Sequence, residues 1–550
     1  MIRKTMIAAL LAGSALGAAP AVAQEQLPEA QQEPTEPDTS DATADAAIAG
    51  AAPVDDAQAK IELLEAQVEA LSEALEGIKT QMTATAPTWK GAPLYEDKEA
   101  GWSFKPRGRI QYDAGYIGNP DDEPNGSLIT RNLGFNTRAR RIRLGAEGTI
   151  PGGFGYKFEM DYANSSVGFG DVVLTYAPKD KPFNFIIGNH ETWNGLEQIS
   201  SSRFLSFMER AAFDDAFVNT RRIGLSAGYV NKAGDLRLNA GLFAAHSIDS
   251  SLDNDGWIGA ARAVYSPLSG ANQLHFGANF QHREFQSNNG GTIPSSVGQP
   301  SAGQSVRYRA RPFSQLTDVR FVDTGNFAAK GDNIIGLEAA GIFKSLHVAA
   351  EGQYTKVDAY GGGDTFNVDD TLDLFGTTAG TPTSSFYVAD GNPSFWGGYI
   401  EAGYYLTGET RGYKAGTWDR TKVLKPFSKG GWGAVQINGR VDYLDLDSGK
   451  LKRGCTNNFT AVVPTCTGTA VAPGSFANYT KGGKQLGLLA SLVWIPEDYF
   501  RMYLQYSHAS ITGGPFADEV DNLSGVLEAD DIDKQKYGVD VIMTRAQIDF

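Results

Sequence analysis

Polar and apolar side chains alternate in one segment after another between residues 105 and 550. From Arg141 to Glu147, charged residues and a glycine alternate with apolar residues, and the segment from Val435 to Tyr443 repeats the pattern. A period of two describes a strand with one apolar face, and sixteen such segments occur. The chain is therefore predicted to be all-β, with a 16-stranded antiparallel transmembrane β-barrel over residues 100–550.

The connections between these segments alternate between short and long. Connections such as residues 151–153 are tight turns, whereas the longest cover residues 190–220, 284–332, 360–394 and 447–484. This order is typical of outer-membrane barrels, which have short periplasmic turns and long extracellular loops. Only the connection at residues 408–430 breaks it. A soluble β-sandwich or solenoid would also alternate, but an open sheet of this size would expose long edges.

The N-terminus has the features of an export signal. Arg3 and Lys4 precede an apolar run from Met6 to Ala19, and Ala21-Val22-Ala23 supplies small residues for cleavage, so residues 1–23 are predicted to be a signal peptide. The alternative is a membrane anchor, for which the run is too short. We therefore expect the mature protein in the outer membrane of a Gram-negative bacterium.

Two further segments precede the barrel. Residues 24–57 are rich in Ala, Pro and acidic residues and are predicted to form a disordered linker. Residues 58–83 are predicted to form a periplasmic coiled-coil helix, because apolar residues follow one another at alternating spacings of three and four: Ile61, Leu64, Val68, Leu71, Leu75, Ile78 and Met82. Such a seam is expected to pair with copies of itself. The alternative is an amphipathic helix that lies on a globular core.

The net charge of −16 belongs mainly to this N-terminal region. Residues 25–82 hold 14 Asp or Glu but only two Lys. The barrel region is close to neutral by comparison, and no basic excess suggests nucleic acid. The net negative charge of the whole chain therefore says little about which solute the protein binds.

A barrel of sixteen strands encloses an aqueous lumen, and its polar face supplies the lining. Alternation predicts that charged side chains of both signs point into the lumen, five arginines among them: Arg109, Arg141, Arg143, Arg222 and Arg237. The loop at residues 190–220 is too apolar for a free external loop and is predicted to fold inward. It would present Ser201, Ser202, Arg203 and Arg210 to the pore, where arginine suits phosphate through paired hydrogen bonds. The alternative is an ordinary solvated loop.

Four stretches of the chain resemble the phosphate-selective porins of the porin O and P family. They are Arg138-Ala-Arg-Arg-Ile-Arg-Leu-Gly-Ala-Glu-Gly148, Ser201-Ser-Arg-Phe-Leu-Ser-Phe-Met-Glu-Arg210, Tyr404-Tyr-Leu-Thr-Gly-Glu-Thr-Arg-Gly-Tyr413 and Lys425-Pro-Phe-Ser-Lys-Gly-Gly-Trp-Gly-Ala434. The resemblance covers roughly residues 100–550. It implies a homotrimer of 16-stranded barrels, an inward-folded third loop and an arginine ladder that leads to a central anion site. The five lumen arginines named above are the candidates for this ladder.

The resemblance also implies roles for single residues. Ser201, Ser202 and Arg210 match loop residues that bind the anion, Asp171 matches a lumen carboxylate beside them, and Arg141 with Arg143 match the ladder. This chain departs from the phosphate-binding members at Gln198, where they place a lysine. The missing positive charge is expected to weaken the binding of phosphate.

Cys455 and Cys466 are predicted to form a disulfide, since both lie in one loop of an exported protein. Two Cys and six scattered His are too few for a metal site, and no cofactor is expected. The expected partners are outer-membrane lipid and lipopolysaccharide, further copies of the chain and small anions such as phosphate.

The prediction is thus a porin, without catalysis, that passes small hydrophilic solutes and prefers anions, phosphate or polyphosphate among them. The alternatives are a general porin of weak selectivity and a surface adhesin or scaffold. An outer-membrane hydrolase would need a Ser/His or Asp/His constellation at the rim, which the six histidines do not suggest.

Overall fold

The computed structural model describes most of the chain after residue 53. It covers residues 54–85, 87–89, 91–120, 133–163, 166–217, 220–245, 248, 256–270, 272–285, 305–325, 327–359, 377–378, 381–382, 389, 391–451, 481–517 and 533–550. The predicted signal peptide, nearly all of the predicted linker and the predicted disulfide between Cys455 and Cys466 lie outside the described residues.

A long helix, α1 (Val54–Thr85), precedes the barrel and extends beyond the predicted range of 58–83 at both ends. The apolar seam is exposed in the single chain: Ile61, Leu64, Val68, Leu71 and Leu75 each retain more than half of their accessible surface. Most of α1 belongs to a compact unit separate from the barrel. Whether the seam pairs with other copies stays a prediction. No helix in the described residues is long and apolar enough to cross a membrane.

Sixteen long strands form the body of the molecule, and each corresponds to one of the alternating segments. They are β1 (Trp102–Ile117), β2 (Gly134–Ile150), β3 (Phe154–Asp161), β4 (Gly168–Tyr176), β5 (Phe183–His190), β6 (Arg222–Val230), β7 (Leu236–Ala244), β8 (Gly256–Tyr265), β9 (Asn272–Phe285), β10 (Phe327–Phe343), β11 (Leu346–Ala359), β12 (Ser394–Tyr405), β13 (Ala434–Asp445), β14 (Lys484–Glu497), β15 (Phe500–Thr512) and β16 (Lys536–Asp549).

Each strand pairs antiparallel with the next, and β16 pairs with β1, from Val541 opposite Ile117 to Asp549 opposite Arg109. The sheet is therefore a closed barrel without free edges. This confirms the predicted fold class. Closure satisfies the backbone hydrogen bonds of every strand, as a span through lipid requires.

Alternation along the strands separates an apolar exterior from a polar interior. On β10, Leu337 is 67% exposed while its neighbour Glu338 is 4% exposed, and on β12 Ile400 and Glu401 show the same contrast. Large apolar residues on the outside of a single chain would be unfavourable in water but suit a hydrocarbon surrounding. The interior polar residues are buried because segments between strands fill much of the lumen.

Three connecting segments narrow the lumen. The first, residues 191–221, joins β5 to β6 and contains two short helices, α2 (Leu196–Ile199) and α3 (Ala212–Phe217). The second is the described part of the connection from β9 to β10, residues 305–325. The third, residues 406–433, joins β12 to β13 and is the connection that departs from the order of short and long. The three are called here the constriction loop, the upper segment and the lower segment.

Topology places these segments at two ends of the barrel. The constriction loop and the upper segment each follow an odd-numbered strand, so they start from the rim that carries the other long loops. The lower segment follows an even-numbered strand, so it starts from the opposite rim, with turns such as residues 151–153. The first strand also begins at this short-turn rim.

Candidate functional site

The constriction loop crosses the barrel and is fastened to the wall opposite its origin. Its apolar residues Phe204, Leu205, Phe207 and Met208 are all buried, as expected for an inward fold. Polar contacts then fix its backbone: the side-chain amide oxygen of Gln505 on β15 accepts from Met208 N–H at 2.8 Å. Arg545 on β16 donates to the carbonyl of Met208 at 2.6 Å.

Two carboxylates add further anchors. On β11, a carboxylate oxygen of Glu351 accepts from the backbone N–H of Glu197 at 2.8 Å. The side chain of Glu197 in turn binds Arg440 of β13 at 2.5 Å and accepts from Ala211 N–H at 2.8 Å. Both ends of the loop's central part are thus held by buried, charge-assisted bonds, which are stronger than neutral ones.

A β-bulge brings one more arginine to this site than alternation predicts. Gln111 on β1 lies opposite Arg141, but the next residue, Tyr112, lies opposite Ala139, so Arg140 is the extra residue of β2. A bulge lets two successive side chains reach the same side of a sheet. As a result Arg140, Arg141 and Arg143 all line the same cavity.

This cavity lies between β2, the constriction loop and the upper segment, and its volume is about 280 Å³. Ten of its lining residues are charged: Arg140, Arg141, Arg143, Arg210, Arg221, Arg311, Glu191, Glu209, Asp214 and Asp215. Gln198 lines it too. An arginine-rich cavity of this size is large enough for a small oxyanion.

Most of these arginines already have carboxylate partners. Arg140 forms a paired contact with Glu209 at 2.9 and 3.0 Å, and Arg143 donates to Glu159 at 2.7 Å and to Asp161 at 2.8 Å. Arg221 binds Glu191 at 2.9 Å and also contacts Asp171, while Arg311 contacts Asp215 at 3.2 Å. Their positive charges are therefore largely neutralised within the wall.

Arg141 is different. It is buried, its Nη1 donates to the side-chain oxygen of Gln111 at 2.8 Å, and within the described part of the chain it forms no ion pair and its Nε has no hydrogen-bond partner. A neutral amide leaves the charge of the guanidinium uncompensated. An anion in the cavity would provide the partner that a buried cation needs.

The charge on Glu209 keeps its arginine partners occupied. Burial alone would raise the pKa of this carboxyl, but the guanidiniums of Arg140 and Arg545 outweigh burial and lower the pKa well below its ordinary value. Glu209 therefore stays ionised over the physiological range, and Arg140 and Arg545 remain bound to it.

The residues proposed from sequence fall into separate groups. Arg141, Arg143 and Arg210 line the cavity. Ser201 and Ser202 instead contact Arg109, whose Nη1 donates to the Ser202 hydroxyl at 2.7 Å. Arg203 donates to the Ser201 hydroxyl at 3.0 Å and lies 3.4 Å from Asp549. These serines and the pair Arg109 and Arg203 form a second cluster, called here the serine cluster.

One carboxylate connects the serine cluster to the cavity. Glu159 accepts from Arg143, which lines the cavity, and its other oxygen lies 3.8 Å from Arg109 of the serine cluster. Positive side chains thus continue from the cavity to the cluster, with Glu159 between them.

Arg210 has contacts other than those that its match to an anion-binding residue of the family implied. Its guanidinium donates to the backbone carbonyls of Glu197, Gln198 and Ser200 at 3.0 to 3.1 Å. These carbonyls belong to the end of α2, where helices leave acceptors without partners. Arg210 therefore stabilises the turn of the constriction loop while it lines the cavity.

Asp171 lies on β4 between Lys157 and Arg221, with the Arg221 contact at 2.5 Å. Through Arg221 it is one step from the cavity. Two other members of the predicted ladder, Arg222 and Arg237, lie apart from it: Arg222 donates to the carbonyl of Ala245 at 2.7 Å, and Arg237 to that of Gly234 at 3.0 Å.

Sequence reasoning missed the lower segment. Its Trp418 N–H donates to the Ser200 hydroxyl at 3.0 Å, and its Arg411 donates to the carbonyl of Phe204 at 3.1 Å. The guanidinium of Arg411 also stacks 4.1 Å from the centre of the Trp418 ring. The lower segment thus supports the constriction loop from the short-turn end. The signals for it in the sequence were the break in loop order at residues 408–430 and the two family-like stretches at its ends, which did not show that it docks on the constriction loop.

The upper segment belongs to the connection at residues 284–332, which the sequence identified only as one of the long loops. Its Leu316 carbonyl accepts from Asn136 at 2.8 Å, and its Gln315 carbonyl accepts from Arg138 at 2.9 Å. Both donors are on β2, so the segment leans against the strand that carries the cavity arginines. Arg311 thereby reaches the cavity lining.

Comparison with known proteins adds to this picture. Residues 104–526 match the family model described as phosphate-selective porin O and P. An uncharacterized protein of Caulobacter vibrioides is 35% identical over 435 residues, which are 77% of this chain and 72% of that protein. Porin O of Pseudomonas aeruginosa is 30% identical over 202 residues, 34% of this chain and 43% of that protein.

Solved structures with a similar fold include the outer membrane channel DcaP of Acinetobacter baumannii, with 14% identity, a TM-score of 0.42 and coverage of 83% of this chain and 99% of that one. An anion-selective porin from Comamonas acidovorans has 13% identity, a TM-score of 0.39 and coverage of 81% of this chain and 99% of that one. The family match and the relative from Caulobacter span most of the chain. The chain therefore belongs to the phosphate-selective porin O and P family, and it is an outer-membrane porin, a channel rather than an enzyme.

Proposed function

We propose that this porin lets small hydrophilic solutes diffuse passively, without catalysis, and prefers anions, with phosphate as the main candidate. The observation that carries the proposal is the uncompensated guanidinium of Arg141 in the cavity beside the constriction loop. A solute that passes the narrow part of the lumen meets this positive charge, and the sign of the charge at the narrowest ring decides selectivity.

The chemistry of the cavity suits oxyanions. A guanidinium offers a planar fork of N–H donors that matches two oxygens of a phosphate. The neighbouring side chains of Arg140 and Arg143 are held by carboxylates, so they do not compete with Arg141 for an anion. The serine cluster supplies a further pair of arginines and two hydroxyls for an anion that moves on.

A general porin of weak selectivity is the second candidate, because ion pairs neutralise much of the wall. Five of the six arginines at the cavity have other partners: Arg140, Arg143, Arg221 and Arg311 bind carboxylates, and Arg210 binds carbonyls. Gln198 supplies an amide and no charge. We therefore expect moderate affinity for phosphate.

We further propose a homotrimer that assembles through the barrel walls and the seam of α1, with the N-terminal segment in the periplasm and lipopolysaccharide around the outer rim. The exposed apolar seam supports pairing between copies. The start of β1 at the short-turn rim supports the location, since porins of this kind carry their short turns on the periplasmic side.

Single-channel recording in planar bilayers under a KCl gradient tests the anion preference. The natural protein should give a reversal potential of the sign that favours chloride, and Arg141→Gln should move it toward zero. Lys179→Gln removes one positive charge from an exposed turn between β4 and β5 and should leave the potential unchanged. A cation-favouring potential, or equal potentials in the natural protein and Arg141→Gln, would refute the proposal.

A further inference from the structure

One carboxyl in the cavity has no role in holding the constriction loop. Asp214 lies in α3, is 6% exposed and lines the same cavity as Arg141. Neither of its side-chain oxygens has a hydrogen-bond partner among the residues that the structure describes. A carboxylate buried in this way would be costly if it were ionised, since nothing replaces the water that it loses.

The charges that surround Asp214 come from several elements. Glu197 and Arg210 belong to the constriction loop, Glu351 to β11 and Arg440 to β13. Both cations are already engaged: Arg440 binds Glu197 and Glu401 of β12, and Arg210 binds backbone carbonyls. On β13, the carboxylate of Asp442 accepts from Ala212 N–H, two residues before Asp214.

The upper segment and the rest of the cavity add other charges. Arg309 lies on the part of the upper segment that contacts α3, and Arg311 pairs with Asp215, the neighbour of Asp214. Glu191 and Glu209 also line the cavity and bind arginines. Glu191, Glu209 and Asp215 thus have cation partners, whereas Asp214 has none in the described residues.

This environment favours the protonated form of Asp214. Burial raises the pKa of the carboxyl, the negative charges of Glu197 and Glu351 raise it further, and Arg210 and Arg440 only partly oppose them, so the pKa lies well above its ordinary value. A protonated Asp214 is a hydrogen-bond donor without an acceptor. What it lacks is an oxygen atom with a lone pair in the cavity.

We propose that Asp214 donates a hydrogen bond to an oxyanion held by Arg141, and that this makes the pore bind oxyanions more tightly in acid than in alkali. The inference rests on the proposed function and names a ligand residue and a pH dependence for that site. Arg141 supplies the positive charge, and Asp214 supplies a neutral donor. When Asp214 loses its proton, the donor is replaced by a negative charge that repels the anion.

The same arrangement discriminates between anions. An oxyanion presents several oxygens, so one can face Arg141 while another accepts from Asp214. Chloride is a single atom and benefits less from two donors placed at different points of the cavity. Oxyanions should therefore block chloride current, and the block should depend on the protonation of Asp214.

Sulfate is the probe that isolates this effect, because its charge stays constant from about pH 5 to about pH 9 whereas that of phosphate changes. Block of chloride current by sulfate is measured across this range for the natural protein, Asp214→Asn and Asp180→Asn. The amide of asparagine keeps an N–H donor in the place of the hydroxyl but does not titrate. Asp180 lies in an exposed turn with φ +60°, which asparagine also adopts.

The natural protein and Asp180→Asn should show sulfate block that weakens about tenfold as the pH rises, the size expected for loss of a hydrogen bond to a charged ligand. Asp214→Asn should block with a constant affinity close to the acid value of the natural protein. Block that is independent of pH in the natural protein, or equally dependent in Asp214→Asn, would overturn the inference.

The same measurements distinguish failure of the proposed function from failure of the role of Asp214. If neither sulfate nor phosphate blocks the natural protein at any pH, both the anion site and the role of Asp214 are wrong. If both anions block at every pH with constant affinity for sulfate, the anion site stands and only the role of Asp214 is wrong.

Discussion

Arginines that look alike in the sequence differ in what their guanidiniums contact. Arg141 and Arg143 are two residues apart on β2, yet Arg143 is bound by Glu159 and Asp161 while Arg141 donates to the amide of Gln111 and forms no ion pair among the described residues. Sequence periodicity predicted that both face the lumen. It could not predict which one keeps an uncompensated charge, because the partners come from β1 and β3 and depend on register.

Gln198 is a residue at which one added positive charge should raise the affinity of the pore for phosphate. Its side-chain nitrogen donates to Glu191 at 3.1 Å, and it lines the cavity that holds Arg141. We expect Gln198→Lys to tighten phosphate block of chloride current about 3- to 10-fold, since one added charge at the cavity contributes roughly 1 kcal/mol. Gln198→Met is the matched control, because it has similar length and no charge. Equal block in both variants would contradict the placement of this residue at the pore.

Arg210 tests whether the turn of the constriction loop depends on one side chain. Its replacement by Met removes the donor to three carbonyls of the α2 region, and unpartnered buried acceptors cost about 1 to 3 kcal/mol each. We expect Arg210→Met to produce noisier open-channel current than Arg311→Met, which removes a cavity arginine from the upper segment. Quiet current of natural amplitude in Arg210→Met would show that the turn holds without it.

At the level of elements, the strands and the inward fold of the constriction loop followed from local pattern, whereas the β-bulge and the lower segment did not. A period of two is a property of each strand by itself, so all sixteen strands could be read from the chain. The bulge at Arg140 and the docking of the lower segment depend on contacts between distant residues, such as Trp418 with Ser200. The inward fold of the constriction loop was predictable because its apolar residues needed a surface to bury against.

The lower segment should control how firmly the constriction loop is held. Trp418 is buried and stacks on Arg411, which donates to the loop at Phe204. Trp418→Ala leaves a cavity under the loop at a cost of about 3 to 5 kcal/mol, which the barrel as a whole can absorb. We expect larger single-channel conductance with more frequent substates. The control is Trp432→Ala, which changes an exposed tryptophan and should keep the conductance of the natural protein. If Trp418→Ala gave the same current trace as the natural protein, the lower segment would not support the constriction loop.

At the scale of the whole molecule, the charge of the chain and the charge of the pore are separate quantities. The net charge of −16 is concentrated before the barrel, whereas the cavity lining holds six arginines and four carboxyls. An acidic protein can therefore carry a cavity that is rich in arginine. The alternating pattern predicted the class of the protein, and only the folded arrangement shows which charged residues line the cavity.

The seam of α1 should contribute to oligomer stability. Leu64 and Leu71 are more than half exposed in the single chain, so pairing between copies would bury them. Replacing both by Asp should lower the temperature at which the oligomer dissociates in detergent by about 5 °C or more, measured by electrophoresis after heating. Glu69→Gln, which lies off the seam, should dissociate at the natural temperature. Unchanged dissociation of the double variant would refute pairing through α1.

The central claim is that Arg141 holds anions in the constriction, and phosphate titration of single-channel chloride current tests it most directly. The natural protein should show saturable block, and Arg141→Gln should weaken that block about tenfold or more, since a charge-assisted bond is lost. Lys179→Gln should match the natural protein. Saturable block with equal affinity in Arg141→Gln, or a large conductance without block in the natural protein, would contradict the account and leave a general porin.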